Sequence, residues 1–258
     1  MKHLPLFFCL ASLLACKKDK SPYVLSWEYC RDNVKFTCVE PKGAFFFSGK
    51  IDHNPFCFSD GVDEYIIYNG VRSEYVTSAQ NPTLPPGATP IAYSYTFGFL
   101  PPIMDNLNGL VREFSPWASL ITPATMDSTL GSEKNLIEKF IHEGDLTLRD
   151  KFIDKFSGFE FDLIWACAEL PGYDYYHQNQ PNIIPIVSFT LTNTIGDQTN
   201  SKLSVSEFKK TVTPDNIIYE ITFHIECNLY YQDASNNRTV LYGRLSDGIL
   251  KTKVVTGI

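Results

Sequence analysis

The sequence predicts a mainly β protein: an antiparallel β-sandwich or jelly-roll with one short helix at about 132–143. Three observations carry that expectation. Aromatic residues make up 14% of the chain, with 19 Phe and 14 Tyr, and rings suit the half-buried, pleated surface of a strand. Segment after segment alternates apolar and polar residues with a period of two. Helical periodicity occurs once, so the helices that parallel βαβ units place between successive strands are missing. The 258 residues, 44% hydrophobic and 20% charged, suffice for one large β domain over 25–258, with a split into two β-subdomains near 110–130 as the alternative.

Taken in order, Gly43–Asp52 reads as a strand. Asn69-Gly70, between EYIIY and VRSEYV, predicts a two-residue hairpin, because both turn positions need positive φ. Residues 81–90 form a Pro-rich loop. Tyr93, Tyr95, Phe97 and Phe99 alternate with Ser94, Thr96 and Gly98, which gives a strand one ring-lined face. The stretch 101–129 looks irregular. Ser132 can cap a helix whose stripe is Leu136, Ile137, Phe140 and Ile141, with Gly144 to end it. That stripe predicts packing on a sheet.

Strands then return. Phe159, Phe161, Leu163, Trp165 and Cys167 share one face, and so do Val187, Phe189 and Leu191. The longest run is Ile217–Tyr231, with Ile217, Tyr219, Ile221, Phe223, Ile225, Cys227, Leu229 and Tyr231 on one side. At ~3.3 Å per residue it spans about 50 Å, so a bend or bulge is expected. A polar turn at 233–237 leads to a strand over Thr239–Leu245. Asp247-Gly248 predicts a second tight hairpin into Ile249–Val255, making a three-strand meander.

The beginning of the chain predicts an address. Met1-Lys2-His3 is a short basic start, and Leu4–Leu14 is an apolar run. As a helix at ~1.5 Å per residue this run reaches about 16 Å, against about 30 Å for a bilayer core. It reads as a secretory signal over 1–15. Leu13-Leu14-Ala15-Cys16 resembles the lipobox of bacterial lipoproteins, which implies that Cys16 becomes the acylated (palmitate-bearing) N-terminus of a tether over 16–24. More than one acyl chain is what stable anchoring requires. Lys17-Lys18-Asp19-Lys20 is similar to the charged tract that, in some Gram-negative lipoproteins, accompanies export to the outer face of the outer membrane. The expected partner is therefore the membrane, with the body surface-exposed or periplasm-facing.

The net charge of −7 and the lack of a long basic run argue against nucleic-acid binding. Cys9 leaves with the signal and Cys16 carries lipid. Cys30, Cys38, Cys57, Cys167 and Cys227 remain, an odd set in which at least one thiol stays free or pairs between chains. Cys30 and Cys38 are near enough to share a hairpin. Cys167 and Cys227 fall on apolar parity, which suits buried thiols. An exported compartment permits disulfides.

Three constellations are candidates for chemistry. Glu160 and Asp162 lie two apart on a strand, hence on one face about 7 Å apart, where paired carboxylates can share acid/base work on a glycosidic bond. Glu160-Phe161-Asp162-Leu163 also resembles the start of the E-x-D-x-x-E strand of jelly-roll β-glucan hydrolases. The resemblance implies a nucleophile at Glu160 and a supporting Asp162. The second Glu of that pattern, the acid/base, is missing, since Ile164 and Trp165 occupy its place. The bland alternative is a solvated strand face carrying two acids.

Tyr173, Tyr175, Tyr176 and His177 crowd a Gln/Asn-rich loop at 171–182, where rings and amides suit a sugar or a protein partner. The alternative is tyrosines folded back on the sandwich. Trp117 is an outlying addition to that set. Asp60-Gly61-Val62-Asp63-Glu64 offers oxygen ligands around a glycine, but its spacing matches no calcium loop, and a polar turn is the simpler reading.

No metal-ligand spacing, H-E-x-x-H, G-x-S-x-G, P-loop or dinucleotide fingerprint occurs, so no cofactor is expected. Asn237-Arg238-Thr239 and Asp127-Ser128-Thr129 fit glycosylation triplets, the second similar to one used by some exported Gram-negative proteins.

Phe45-Phe46-Phe47-Ser48-Gly49-Lys50-Ile51, Pro55-Phe56-Cys57 and the ending Gly243–Lys251 resemble uncharacterised β-rich lipoproteins of Gram-negative bacteria, a group that brings no known activity. The expected function is a non-catalytic, membrane-anchored binding or accessory protein for a glycan, peptide or envelope partner. A glycoside hydrolase using Glu160 and Asp162, and a structural subunit of an envelope complex, are the alternatives.

Overall fold

The computed structural model describes residues 40–62, 65–77, 84, 87, 90–100, 116–150, 154–168, 186–233 and 237–257, with backbone only at 100, 166–168 and 186–188. The predicted signal, Cys16 and the tyrosine loop lie outside these residues. The strands are β1 (Phe46–Ile51), β2 (Asn54–Ser59), β3 (Ile66–Tyr75), β4 (Ile91–Leu100), β5 (Pro116–Ile121), β6 (Gly144–Leu146), β7 (Glu160–Ala168), β8 (Ile186–Thr192), β9 (Lys202–Val212), β10 (Asn216–Asp233) and β11 (Arg238–Gly257). The helix α1 spans Glu133–Phe140.

The strands form one antiparallel sheet in the order β2-β1-β11-β10-β8-β7-β5-β4-β3, with β9 on β10 and β6 on β9. The sheet folds over on itself. Phe47 of β1 meets Phe161 of β7 at 5.5 Å between ring centroids, and Phe97 of β4 meets Phe223 of β10 at 5.2 Å. Strands far apart in the ladder thus face each other, as in a sandwich. One leaf is β2-β1-β11-β10-β9-β6 and the other is β8-β7-β5-β4-β3.

The alternating patterns set this arrangement. Phe47, Tyr95, Phe97, Phe99, Phe161, Leu163, Trp165 and the β10 series from Ile217 to Leu229 are buried in one contiguous core. A slip of one residue would turn a whole series outward, and each large side chain left in water forfeits about 1.5–3 kcal/mol. Ser132 caps α1, accepting from the Asn135 N–H at 3.3 Å. Leu136 and Ile137 are fully buried. The helix ends at Ile141, earlier than expected, and Gly144 opens β6 with φ of 106°.

Two hairpin expectations are corrected. Asn69 and Gly70 lie inside β3, opposite Phe97 and Thr96, and neither has positive φ. Instead Asn69 donates through Nδ2 to the Lys253 carbonyl of β11 at 2.8 Å, which ties the β3 edge to the opposite leaf. The tight turn falls at Asp52-His53, between β1 and β2, with φ of 45° and 78°. Two consecutive positive φ values are what the favoured hairpin needs.

Asp247-Gly248 is likewise no turn but a bulge within the continuous β11. The register shifts there against both β1 and β10. Asp247 takes φ of 52°, and a Cβ on Gly248 would collide with the Ile225 carbonyl oxygen. The bulge that the long β10 required is thus placed on its partner. The stretch thought irregular contains β5, and β9 is a further strand the patterns did not announce.

Cys227 is a buried free thiol, as its parity predicted. Cys57 is disulfide-bonded. Asp127 accepts from Thr129 N at 3.0 Å and Thr129 Oγ1 at 2.6 Å, capping a short 3-10 turn.

The fold-over occurs on the open edge of β10, which pairs with β9 up to Glu226 and with β8 only at Tyr230. Between them the Gln198 side chain takes the place of a strand. Its Nε2 donates to the Asn193 carbonyl at 2.7 Å and the Asn228 carbonyl at 2.9 Å. Its Oε1 accepts from Asn228 N at 3.1 Å. Buried polar groups left unpaired cost about 1–3 kcal/mol each. Gln198→Ala is therefore expected to cost about 2–4 kcal/mol in urea unfolding, and Gln198→Glu, which lacks the donors, should do similar damage. A loss of under about 0.5 kcal/mol, the range of neutral surface changes, would refute this role.

Candidate functional site

Successive strands of the second leaf bring one set of side chains to its outer face. The ladder aligns Tyr68, Gly98, Ser119, Asp162 and Thr192 in one row, and Gly70, Thr96, Ile121 and Glu160 in the next. Strand β4, between β3 and β5, brings the small residues Ser94, Thr96 and Gly98 to this face. A Cβ on Gly98 would meet the Ala118 carbonyl oxygen at 2.7 Å, so this position is held to glycine. Larger side chains rise on either side, with Tyr68 and Arg72 from β3 and Trp117 and Ile164 from β5 and β7. The result is a groove of about 480 Å3 over a Thr/Ser floor, with Asp162 in its lining.

Asp162 is partly exposed as a residue, yet its Oδ1 is buried and has no hydrogen-bond partner. Burial and, second, the neighbouring Glu160 carboxylate push its pKa up to about 7, against the opposing pull of Thr192, Arg149 and Arg72. Glu160 is differently placed. It is ion-paired with Arg149, whose side chain is only 4% exposed. Arg149 is itself fixed, its N–H donating to the Phe159 carbonyl at 2.8 Å and its carbonyl accepting from Asn193 Nδ2 at 2.8 Å.

The two carboxylates share a face, as the i, i+2 spacing predicted, but not an environment. Asp162 opens on the groove. Glu160 belongs to a neighbouring cavity of about 100 Å3 that also holds Arg72, Glu74, Arg149 and Lys155.

Of the residues singled out from sequence, Trp117, Glu160 and Asp162 come together on this face. Tyr173, Tyr175, Tyr176 and His177 lie outside the described residues. Asp60 sits in a turn, its Oδ1 accepting from Ile67 N at 3.2 Å. Among the described residues no three His, Cys, Asp or Glu side chains converge as a metal site, and no helix is long and apolar enough to cross a membrane.

Sequence reasoning missed Tyr68, Arg72, Arg149 and Lys155. The small-residue series Ser94-x-Thr96-x-Gly98 was a visible sign of a groove floor. Arg149 and Lys155 lie in connecting segments, where no periodicity marks a facing direction. Compared with models of known protein families, with curated proteins and with solved structures, the chain matches none. The class defined by fold and site is thus a folded-over antiparallel sandwich with an aromatic-flanked polar groove on one leaf.

Asp162 makes stability pH-dependent. Its folded pKa stands above the unfolded value of about 3.9, so the folded state holds the proton more tightly. The resulting stabilisation is complete below about pH 4 and lost as pH rises through about 7. Asp162→Asn should flatten the decline between pH 5 and 8 and be more stable than the parent at pH 8. Parallel stability–pH curves for the two proteins would refute the assignment.

Proposed function

We propose that this chain is an exported lipoprotein, anchored through Cys16, that binds a hydroxyl-rich ligand, best matched by an oligosaccharide, in the groove of its second leaf. One observation carries the reading: Trp117 and Tyr68 flank a floor of small polar residues, with Asp162 in the same lining. Rings accept the C–H faces of sugars, while hydroxyls and a carboxylate meet their O–H groups. The disulfide at Cys57 agrees with an oxidising compartment.

Binding rather than catalysis is favoured because Arg149 occupies the Glu160 carboxylate, and among the described residues lining the groove Asp162 is the one acid. The hydrolytic alternative draws on Asp162, whose carboxyl is pushed up to about 7 by burial and by the Glu160 carboxylate, a range that suits a general acid. Turnover of aryl glycosides that disappears in Asp162→Asn would support it, and absence of turnover in the parent would end it.

Trp117→Ala is expected to weaken oligosaccharide binding at least about tenfold, a loss of about 1.4 kcal/mol, while the melting temperature holds. Titration calorimetry against an oligosaccharide panel reads the effect. Unchanged affinity, or no binder at all, would overturn the groove. Labelled palmitate should enter the expressed parent and not Cys16→Ser; equal labelling of both would remove the anchor.

A further inference from the structure

The small cavity beside the groove has more cationic than anionic side chains. Arg72, Arg149 and Lys155 face Glu74 and Glu160 across it. Glu160 is held by Arg149, and Glu74 by Lys155 at 2.7 Å. Arg72 approaches Glu74 only at 3.8 Å, with 52% of its side chain exposed. One cation thus stays loosely engaged. Arg149 adds a second unmet demand, because its buried Nε has no partner although its main chain is bonded on both sides.

The cavity measures about 100 Å3. Liquid water takes about 30 Å3 per molecule, so the space suits a group of about three heavy atoms and not a sugar ring. Arg72 and Ile121 line both this cavity and the groove, so the two adjoin.

We infer that this cavity is a subsite for a carboxylate borne by the ligand, with Arg72, Lys155 and Arg149 as its cationic wall, so that the protein selects acidic oligosaccharides. The inference rests on the groove reading above. A guanidinium presents paired donors that match a carboxylate, and a ring held between Trp117 and Tyr68 would place its acidic substituent toward Arg72. Ser94, also in the lining, supplies a hydroxyl donor, whereas the Thr122 hydroxyl already donates to the Pro123 carbonyl at 3.1 Å.

The test uses oligomers of galacturonate, alginate and hyaluronan, each beside its carboxyl-reduced neutral form, titrated against the full chain. At least one acidic form should bind about tenfold or more tighter than its reduced counterpart. That advantage should shrink as salt rises from about 0.01 to 0.15 M, across which the screening length falls from about 30 to 8 Å. Arg72→Gln and Lys155→Met should each erase most of the advantage, read as the ratio of acidic to neutral affinity within each variant. Arg72 is half exposed, so its variant keeps the test valid should Lys155→Met fold poorly. Equal binding of acidic and reduced forms, or an acid preference that survives Arg72→Gln, would overturn the subsite and leave the groove standing. Failure of acidic and neutral oligomers alike would overturn both.

Discussion

The molecule turns on the short interval of β10 between Glu226 and Tyr230, where its edge exchanges one neighbour for another. A flat sheet would continue; here it creases. The crease is feasible because a side-chain amide imitates backbone. Gln198 offers two N–H bonds to main-chain carbonyls and accepts one main-chain N–H. Asn193 repeats the device one layer away, accepting from Phe161 N at 2.7 Å and donating to the Arg149 carbonyl. Buried backbone groups must be satisfied, and these two amides satisfy them where no strand can reach. The same Asn193 thereby fixes the Arg149 main chain, and through it the ion pair beside the groove.

The interior follows from parity. Phe47 of β1, Tyr95, Phe97 and Phe99 of β4, Phe161 and Trp165 of β7, and Tyr219 and Phe223 of β10 point inward, and aromatic pairs at 4.5–5.5 Å join the leaves and neighbouring strands. Such offset and edge-on contacts add to simple burial. The opposite parity of β4 and β7 then becomes the outer face. One alternating pattern therefore supplies both a core and a recognition surface.

This division explains what could be read from the sequence. Period-two alternation gave the β class, the inward series of β10 and the shared face of Glu160 and Asp162. The single capped helix was equally plain. Turn chemistry misled at Asn69-Gly70 and Asp247-Gly248, because dipeptides that tolerate positive φ serve bulges and side-chain ties as readily as hairpins. β5 was hidden by Pro116 at its head and by its short length, and β9 by its charged solvent face. Arg149 and Lys155 were illegible because their importance arises from what the folded sheet brings near them.

Strand β1 lies between β2 and β11, so the first described strand depends on the last. A chain delivered from its amino end cannot complete this seam until the carboxyl end is free. Such non-local pairing slows folding, and until then the Phe-rich β1–β2 ribbon must wait with its apolar side uncovered. A protein built this way closes its sheet only once the whole chain is available, and its uncovered ribbon is open to aggregation during the interval.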